Sequence, residues 1–269
     1  MGRLFPLRPG VGAGAVFYSH ENKTSYVDNG VRPASFDITK MTHRPSLTVT
    51  WRERGLRLVV VGMNPSAATA ELLDPTVRNI VYYAQRLRMG GKPFGSLSML
   101  NLYDRRQTSG FKAVDGAVQV AHERGGEQVR TAELVPARSP LWRDVVELQI
   151  KCADLVILAC GAPAQWEDLD DISSMCLRLT GELPRAWRMN DDGKPAHPRG
   201  MNSDILPSQW STFTKRNGYR HTELAVDIGF SLLYSPPKPS KSRMDYIKGE
   251  VALGRPLNEL EQLALWRWG

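Results

Sequence analysis

Three apolar runs in this chain stop abruptly at a polar or glycine residue. Val59-Val60-Val61-Gly62-Met63 ends at Asn64-Pro65-Ser66, Ser98-Met99-Leu100 meets Asn101 with Leu102 and Tyr103 beyond, and Leu155 to Cys160 ends at Gly161. Unbroken apolar runs of this length, bounded by turn residues, read as strands buried on both faces. Earlier strand signals lie at Leu47-Thr48-Val49-Thr50-Trp51 and Leu56 to Val61, on either side of a Glu53-Arg54-Gly55 turn.

Between the runs the apolar period changes to that of helices. Asp74 is a good N-cap and Pro75 suits the first helical position. Val77, Ile80, Val81, Ala84 and Leu87 then form a stripe, with Gly90-Gly91 as its stop. A second helix is expected from Ser139-Pro140 to about Lys151, with Leu141, Val145, Leu148 and Cys152 on one face. A third carries Trp166, Leu169, Ile172, Cys176 and Leu179. Alternating strands and helices predict an α/β fold, a three-layer α/β/α arrangement around a central, mostly parallel four-stranded sheet. The expected organisation is an N-terminal extension over residues 1–45, an α/β domain over 46–234, and a basic linker with a C-terminal helix over 235–269. Leu257, Leu260, Leu263 and Trp266 lie on that last helix.

Composition narrows the class. The chain has 269 residues, 42% hydrophobic and 23% charged, which suits one globular α/β domain with decorated ends. Lys and Arg total 35 against 28 Asp and Glu, so the net charge of +7 favours a polyanionic partner such as nucleic acid, with an indifferent basic surface as the alternative. Cys152, Cys160 and Cys176 have no metal-ligand spacing and read as reduced packing residues, as in a cytoplasmic protein. The start, Met1-Gly2-Arg3-Leu4-Phe5-Pro6, is not a signal peptide, and no run is long enough for a bilayer span. The expectation is a monomer that needs no cofactor and no metal and meets no membrane.

In a parallel sheet the ligand lies beyond the carboxyl ends of the strands, so the strand stops point to one site. Asn64 would be aimed at the ligand. Asn101 offers a donor and an acceptor that match the edge of a pyrimidine, or else it caps the loop that follows it. His197-Pro198-Arg199-Gly200 sits in a loop too polar to be core, and its histidine is either solvated or part of the site. Arg185, Arg188, Lys194, Arg199 and Lys215 around it, with Arg105 and Arg106 after Asn101, form a candidate phosphate-contacting surface.

Gly62-Met63-Asn64-Pro65-Ser66 resembles the first motif of the uracil-DNA glycosylase superfamily, most closely its mismatch-specific branch, where a Gly-x-Asn-Pro loop positions the hydrolytic water. Asn101 to Thr108 resembles the central segment of that branch, and His197-Pro198 the His-Pro of the superfamily's second catalytic motif. The order Asn64-Pro65-Ser66, Asp74-Pro75-Thr76-Val77-Arg78, Asn101-Leu102 is also similar to a little-described bacterial and phage family of unknown function that looks like an offshoot of these enzymes.

The resemblance implies a uracil-DNA glycosylase-like fold and a monofunctional DNA N-glycosylase that flips a base out of the stack and leaves an abasic site. Asn64 would place the water, His197 would hydrogen-bond the departing base, and Asp74 is a second candidate for activating the water. Ser66, Asn101, Tyr103 and Met63 would contact the base. Met201 or Arg199 would take the place of the missing leucine wedge. Small residues at Ser66, Ala67 and Ala68 stand where uracil-specific relatives carry an aromatic gate. The expected substrate is therefore a 5-modified pyrimidine, with the glucosylated hydroxymethylcytosine of phage DNA as one instance, in antiviral defence. A mismatch uracil or thymine repair enzyme, a hydrolase of free modified nucleotides, and a non-catalytic DNA-binding domain are the alternatives.

Overall fold

In the computed structural model the description covers residues 5–6, 16–19, 25–28, 44–52, 54–65, 72–105, 113–114, 117–121, 132–136, 138–140, 142–200, 210–216, 219–224, 230–232, 238–258, 261 and 264–265. Nine strands form one mixed sheet. They are β1 (Ser46–Thr50), β2 (Leu56–Gly62), β3 (Leu87–Met89), β4 (Lys92–Asn101), β5 (Leu155–Leu158), β6 (Arg185–Ala186), β7 (Ser211–Arg216), β8 (Tyr219–Leu224) and β9 (Phe230–Leu232). Their order is β8-β7-β6-β5-β2-β4-β3-β9, and β1 also pairs with β4.

Four parallel strands lie at the centre, in the order β4, β2, β5, β6, of which β6 carries no strand signal in the sequence, while the signal at Leu47–Trp51 corresponds to the antiparallel β1. The expectation of a four-stranded, mostly parallel sheet is corrected at its margins. β7 and β8 add an antiparallel hairpin beyond β6, while β1, β3 and β9 add antiparallel strands beyond β4. Apart from β1, which the Leu47–Trp51 pattern marks, these are short additions whose pairing is decided by the edges they cover, so little periodicity marks them in sequence.

Side-chain alternation along β2 explains the two cores. Leu58 and Val60 face the helix α1 (Pro75–Arg86) together with Val77, Ile80, Val81 and Ala84. Val59 and Val61 face α2 (Trp142–Lys151) and α3 (Trp166–Thr180), with Val146, Ile150, Leu169 and Ile172. Helices thus cover both faces of the parallel strands. Asp74 caps α1, its Oδ1 accepting the Val77 N–H at 2.8 Å. The helix ends at Arg86 rather than at the two glycines. Gly90 and Gly91, at φ 56° and 76°, instead form the two-residue turn between β3 and β4.

Two further expectations change. In α2 the buried residues are Trp142, Val146 and Ile150, whereas Leu148 is 59% exposed and Cys152 is exposed, so the apolar face is the other of two competing stripes. Cys160 and Cys176 are buried as expected. The stretch expected to be a linker leads directly into a helix, α4 (Lys241–Ala252), capped by Ser240, whose Oγ accepts the Arg243 N–H at 3.2 Å. Helical structure is also described at Glu261 and Ala264-Leu265, in the region of the expected C-terminal helix. Asn258 and Glu261 there exchange backbone-to-side-chain hydrogen bonds of 3.1 and 2.9 Å.

Outside the main sheet, Phe5–Pro6 pairs with Leu72–Leu73, which ties the N-terminal stretch to the segment just before α1. Val16–Ser19 pairs with Ser25–Asp28, and Ala113–Val114, Ala117–Ala121 and Ala132–Pro136 form a separate three-stranded sheet. Among the described residues no helix is long and apolar enough to cross a membrane.

Candidate functional site

Parallel pairing brings the first two strand stops side by side. Gly62 is the register partner of Asn101, and pairing continues past both strands through Leu102 N–H to Gly62 O at 2.9 Å and Tyr103 N–H to Met63 O at 3.0 Å. Asn64, half-buried, sits immediately beyond this junction. Asn101 is 3% exposed. With its amide nitrogen toward the carbonyls of Asn64 at 3.2 Å and Leu100 at 3.3 Å, its amide meets no acceptor with its oxygen, and this is the orientation we assign. The Asn101 carbonyl also accepts from Trp142 Nε1 at 2.7 Å. Asn101 therefore braces the loop that presents Asn64, on the neighbouring strand, and not the loop that follows it in sequence.

The third strand stop holds the histidine loop. Beyond β5, Ala159 N–H donates to Val61 O at 2.8 Å and the Cys160 thiol to the same carbonyl at 3.2 Å. Gly161, at φ 83°, donates its N–H to Pro195 O at 2.8 Å. The loop after Trp187 doubles back on itself, with Ala196 N–H to Arg188 O at 2.8 Å and Asn190 N–H to Lys194 O at 2.8 Å. It delivers His197 against Gly161, and the short 3-10 turn Pro198–Gly200 packs beside α1.

His197 Nδ1 accepts the Arg199 N–H at 3.0 Å. A neutral ring in that arrangement carries its proton on Nε2. His197 keeps an exposed face, yet loss of solvent on its packed side lowers its pKa; the Arg199 charge lowers it further, and the Asp74 carboxylate opposes both. Asp74 is thus electrostatically coupled to His197 while capping α1, and it is 8% exposed. Asn64 with Asn101, His197 against Gly161, and Asp74 at the start of α1 thus all lie at the carboxyl edge of the parallel strands.

The remaining expected residues divide. Met63 is buried among the side chains of the α2 and α3 face. Tyr103 is buried with its hydroxyl donating to Asp168, and burial first, then Asp168, raises its pKa. Arg105 is half-buried, and Arg188 and Arg199 are exposed. Lys194 Nζ donates to Ala162 O at 3.0 Å and stands 5.5 Å from the Trp166 ring centroid. Ser66, Arg106 and Met201 lie outside the described residues, as does the Lys215 side chain.

Arg185 and Lys215 are separated from the histidine loop by the sheet topology. Arg185 lines a cavity of about 470 Å³ with Asp154, Leu155 and Glu182, at the amino ends of the parallel strands. β7 runs antiparallel to β6 with Thr212 opposite Arg185, so Lys215 lies still further toward that amino edge.

An unanticipated network supports the site from below. Arg138 donates from Nε to Leu102 O at 2.8 Å, pairs through Nη2 with Asp168 Oδ1 at 2.7 Å, and lies 3.7 Å from the Trp142 ring centroid. Asp104 is fully buried, and its carboxylate accepts the N–H of Ser139 at 2.8 Å and also the Ser139 hydroxyl. A sequence signal existed in the polar Asp104 directly after an apolar strand, but its partner is 35 residues away. Among the described residues no group of three or more His, Cys, Asp and Glu side chains is placed to hold a metal ion.

A family model described as "Protein of unknown function (DUF1643)" matches residues 44–199. That span begins just before β1 and ends within the turn after His197. No curated protein and no solved structure matches the chain.

Proposed function

We propose that this chain, which belongs to the DUF1643 family by a match over more than half its length, is a DNA glycosylase of uracil-DNA glycosylase superfamily type. It hydrolyses the N-glycosidic bond of a flipped-out, 5-modified pyrimidine and leaves an abasic site. The observation that carries the reading is the convergence of Asn64, Asp74 and His197, from three separate segments, at the carboxyl ends of β2, β4 and β5. Four parallel strands with helices on both faces support a fold of that superfamily's kind.

The chemistry suits such a site. When the bond to the base breaks, negative charge develops on the base and positive charge on the sugar, so preorganised donors and a placed water carry most of the catalysis. His197, neutral and with Nδ1 occupied by the Arg199 N–H, offers Nε2–H to the departing base oxygen. Asp74, close enough to act on His197, supplies negative charge to the sugar and a candidate acceptor for the water proton. Asn64 holds the water, and Asn101 holds Asn64. Arg188 and Arg199 are exposed on the His197 loop and would meet phosphates. A large 5-substituent, glucosylated hydroxymethylcytosine among them, is favoured by the small side chains of Ser66, Ala67 and Ala68 in the sequence.

The test is a panel of DNAs carrying natural and phage-type modified bases, incubated with the protein, cleaved with alkali at abasic sites, and analysed by mass for released base. Release of a modified pyrimidine from DNA is expected. Release only from free nucleotides would make the protein a nucleotide hydrolase, and no release from any substrate would leave a binding domain.

A further inference from the structure

We infer that the amino-terminal edge of the parallel strands is a second binding surface for the phosphate backbone of nucleic acid, separate from the carboxyl-edge site. Arg54 lies in the turn before β2, Arg57 near its start, Lys92 begins β4, and Lys151 ends α2, which runs back to that edge before β5. All four are exposed. None of them forms an ion pair or any other side-chain interaction among the described residues.

The contrast with other cations gives this meaning. Arg138, Arg143 and Arg178 on the α2 and α3 side are each held by Asp168, Asp171 or Glu147. Cations neutralised by neighbours contribute little long-range field, whereas an unpaired row attracts polyanions. The backbone of the β7–β8 hairpin runs toward the same edge. Asp154 and Glu182 are the described exposed carboxylates lining the cavity on that edge, and Asp154 is engaged by the Arg57 N–H at 2.7 Å.

Geometry makes the surface a distinct one. The edge spans β7, β6, β5, β2, β4 and β3, about 25 Å at roughly 4.8 Å per strand, enough to face several phosphates. It is about 20 Å from the carboxyl edge along β2. One straight duplex lying on the His197 loop does not reach it, so a second segment of nucleic acid is the occupant. That this segment is a second one rests on the proposed DNA-binding role of the carboxyl edge, whereas the row of exposed cations stands without it.

The full chain with Arg54→Gln, Arg57→Gln and Lys92→Gln, singly and combined, is to be titrated with unmodified duplex DNA by fluorescence anisotropy across a salt series, beside an Arg188→Gln/Arg199→Gln variant. Thermal melting checks that each is folded. Each amino-edge change is expected to lower the log–log salt slope by about one unit, and the triple variant to lose at least about tenfold in affinity at low salt. Wild type is further expected to bring two differently labelled duplexes into energy transfer, and the triple variant to lose that while still binding one. Unchanged affinity and slope in the folded triple variant overturn the inference, as does stronger competition by polyglutamate than by DNA, which would assign the edge to an acidic protein.

Discussion

A Cβ placed on Gly161 would stand 3.2 Å from the Cβ of His197, closer than ordinary van der Waals contact, at a backbone φ of 83° that L side chains rarely adopt. The strand that ends at Gly161 therefore determines how near the histidine loop can come. Gly161→Ala is expected to cost about 1–2 kcal/mol in urea unfolding for the φ alone. It should also lower single-turnover base release by more than tenfold through displacement of His197, with DNA affinity changed much less. Full activity in the folded variant would show that the site does not depend on this contact.

The lowered pKa of His197 sets the direction of a pH effect. The folded state binds a proton here less readily than the unfolded chain, whose His titrates near 6.5. Stability from this group is therefore complete above that value and is lost as pH falls toward the folded pKa. Base release should persist below pH 6.5 and fall when the ring charges, because protonation removes the acceptor used by the Arg199 N–H. Histidine proton NMR across pH 4–8 (roughly the window set by the shift), compared with the His197→Gln variant, checks the assignment.

Asn64→Ala and Asp74→Asn separate two roles. If Asn64 places the water, its removal lowers the chemical step by about 10²-fold or more with little change in binding. Asp74→Asn keeps an N-cap side chain on α1, so a loss of rate without a loss of stability would identify Asp74 as the group acting on the water. Single-turnover rates with thermal melts distinguish the outcomes.

Asp168 is shared by Arg138 and by the buried Tyr103 hydroxyl. Asp168→Asn removes the nearer of two carboxylates on the partly buried Arg138 guanidinium, leaving Asp171 at 3.6 Å, and a loss of about 1 kcal/mol in urea unfolding is expected. The same change should bring the raised pKa of Tyr103 downward, visible in the ultraviolet titration of tyrosinate, because Asp168 contributes to that rise after burial itself. An unaltered Tyr103 titration would show that burial alone is responsible.

The three cysteines should differ in reactivity. Burial pushes the Cys160 and Cys176 thiols up to about 12, while Cys152 is exposed at the end of α2. Mass analysis after maleimide treatment of the native protein is expected to show one label, on Cys152, with the other two reacting only after denaturation.

The parallel centre of the fold was readable because β2 and β5 are buried on both faces and their apolar runs are unbroken. The α1 start was readable because Asp74-Pro75 acts locally. The α2 face was misjudged because Leu141, Val145 and Leu148 compete with Trp142, Val146 and Ile150, and only packing against β4 and α3 decides between them. That Asn64 follows a strand end and that Asp74 caps α1 were legible in the sequence, whereas loop polarity left His197 open between a solvated and a site position, and its packing against Gly161 comes from the fold. Arg185 and Lys215 were misplaced because closeness in sequence to His197 says nothing about the direction of β6 and β7, which carry them to the opposite edge. The Arg138 network was silent because each of its contacts joins segments distant in the chain.

The central position of β2 has a consequence for synthesis. Val61 finds one neighbour, Leu100, 39 residues later and the other, Leu158, 97 residues later. As the chain leaves the ribosome, the Val59-Val60-Val61 run must wait with one edge open until β5 emerges, and an apolar strand with a free edge is a template for pairing between nascent chains. Slower translation or lower growth temperature should therefore raise the soluble yield, and chaperones that cover extended apolar segments should engage this chain before residue 158 has been made.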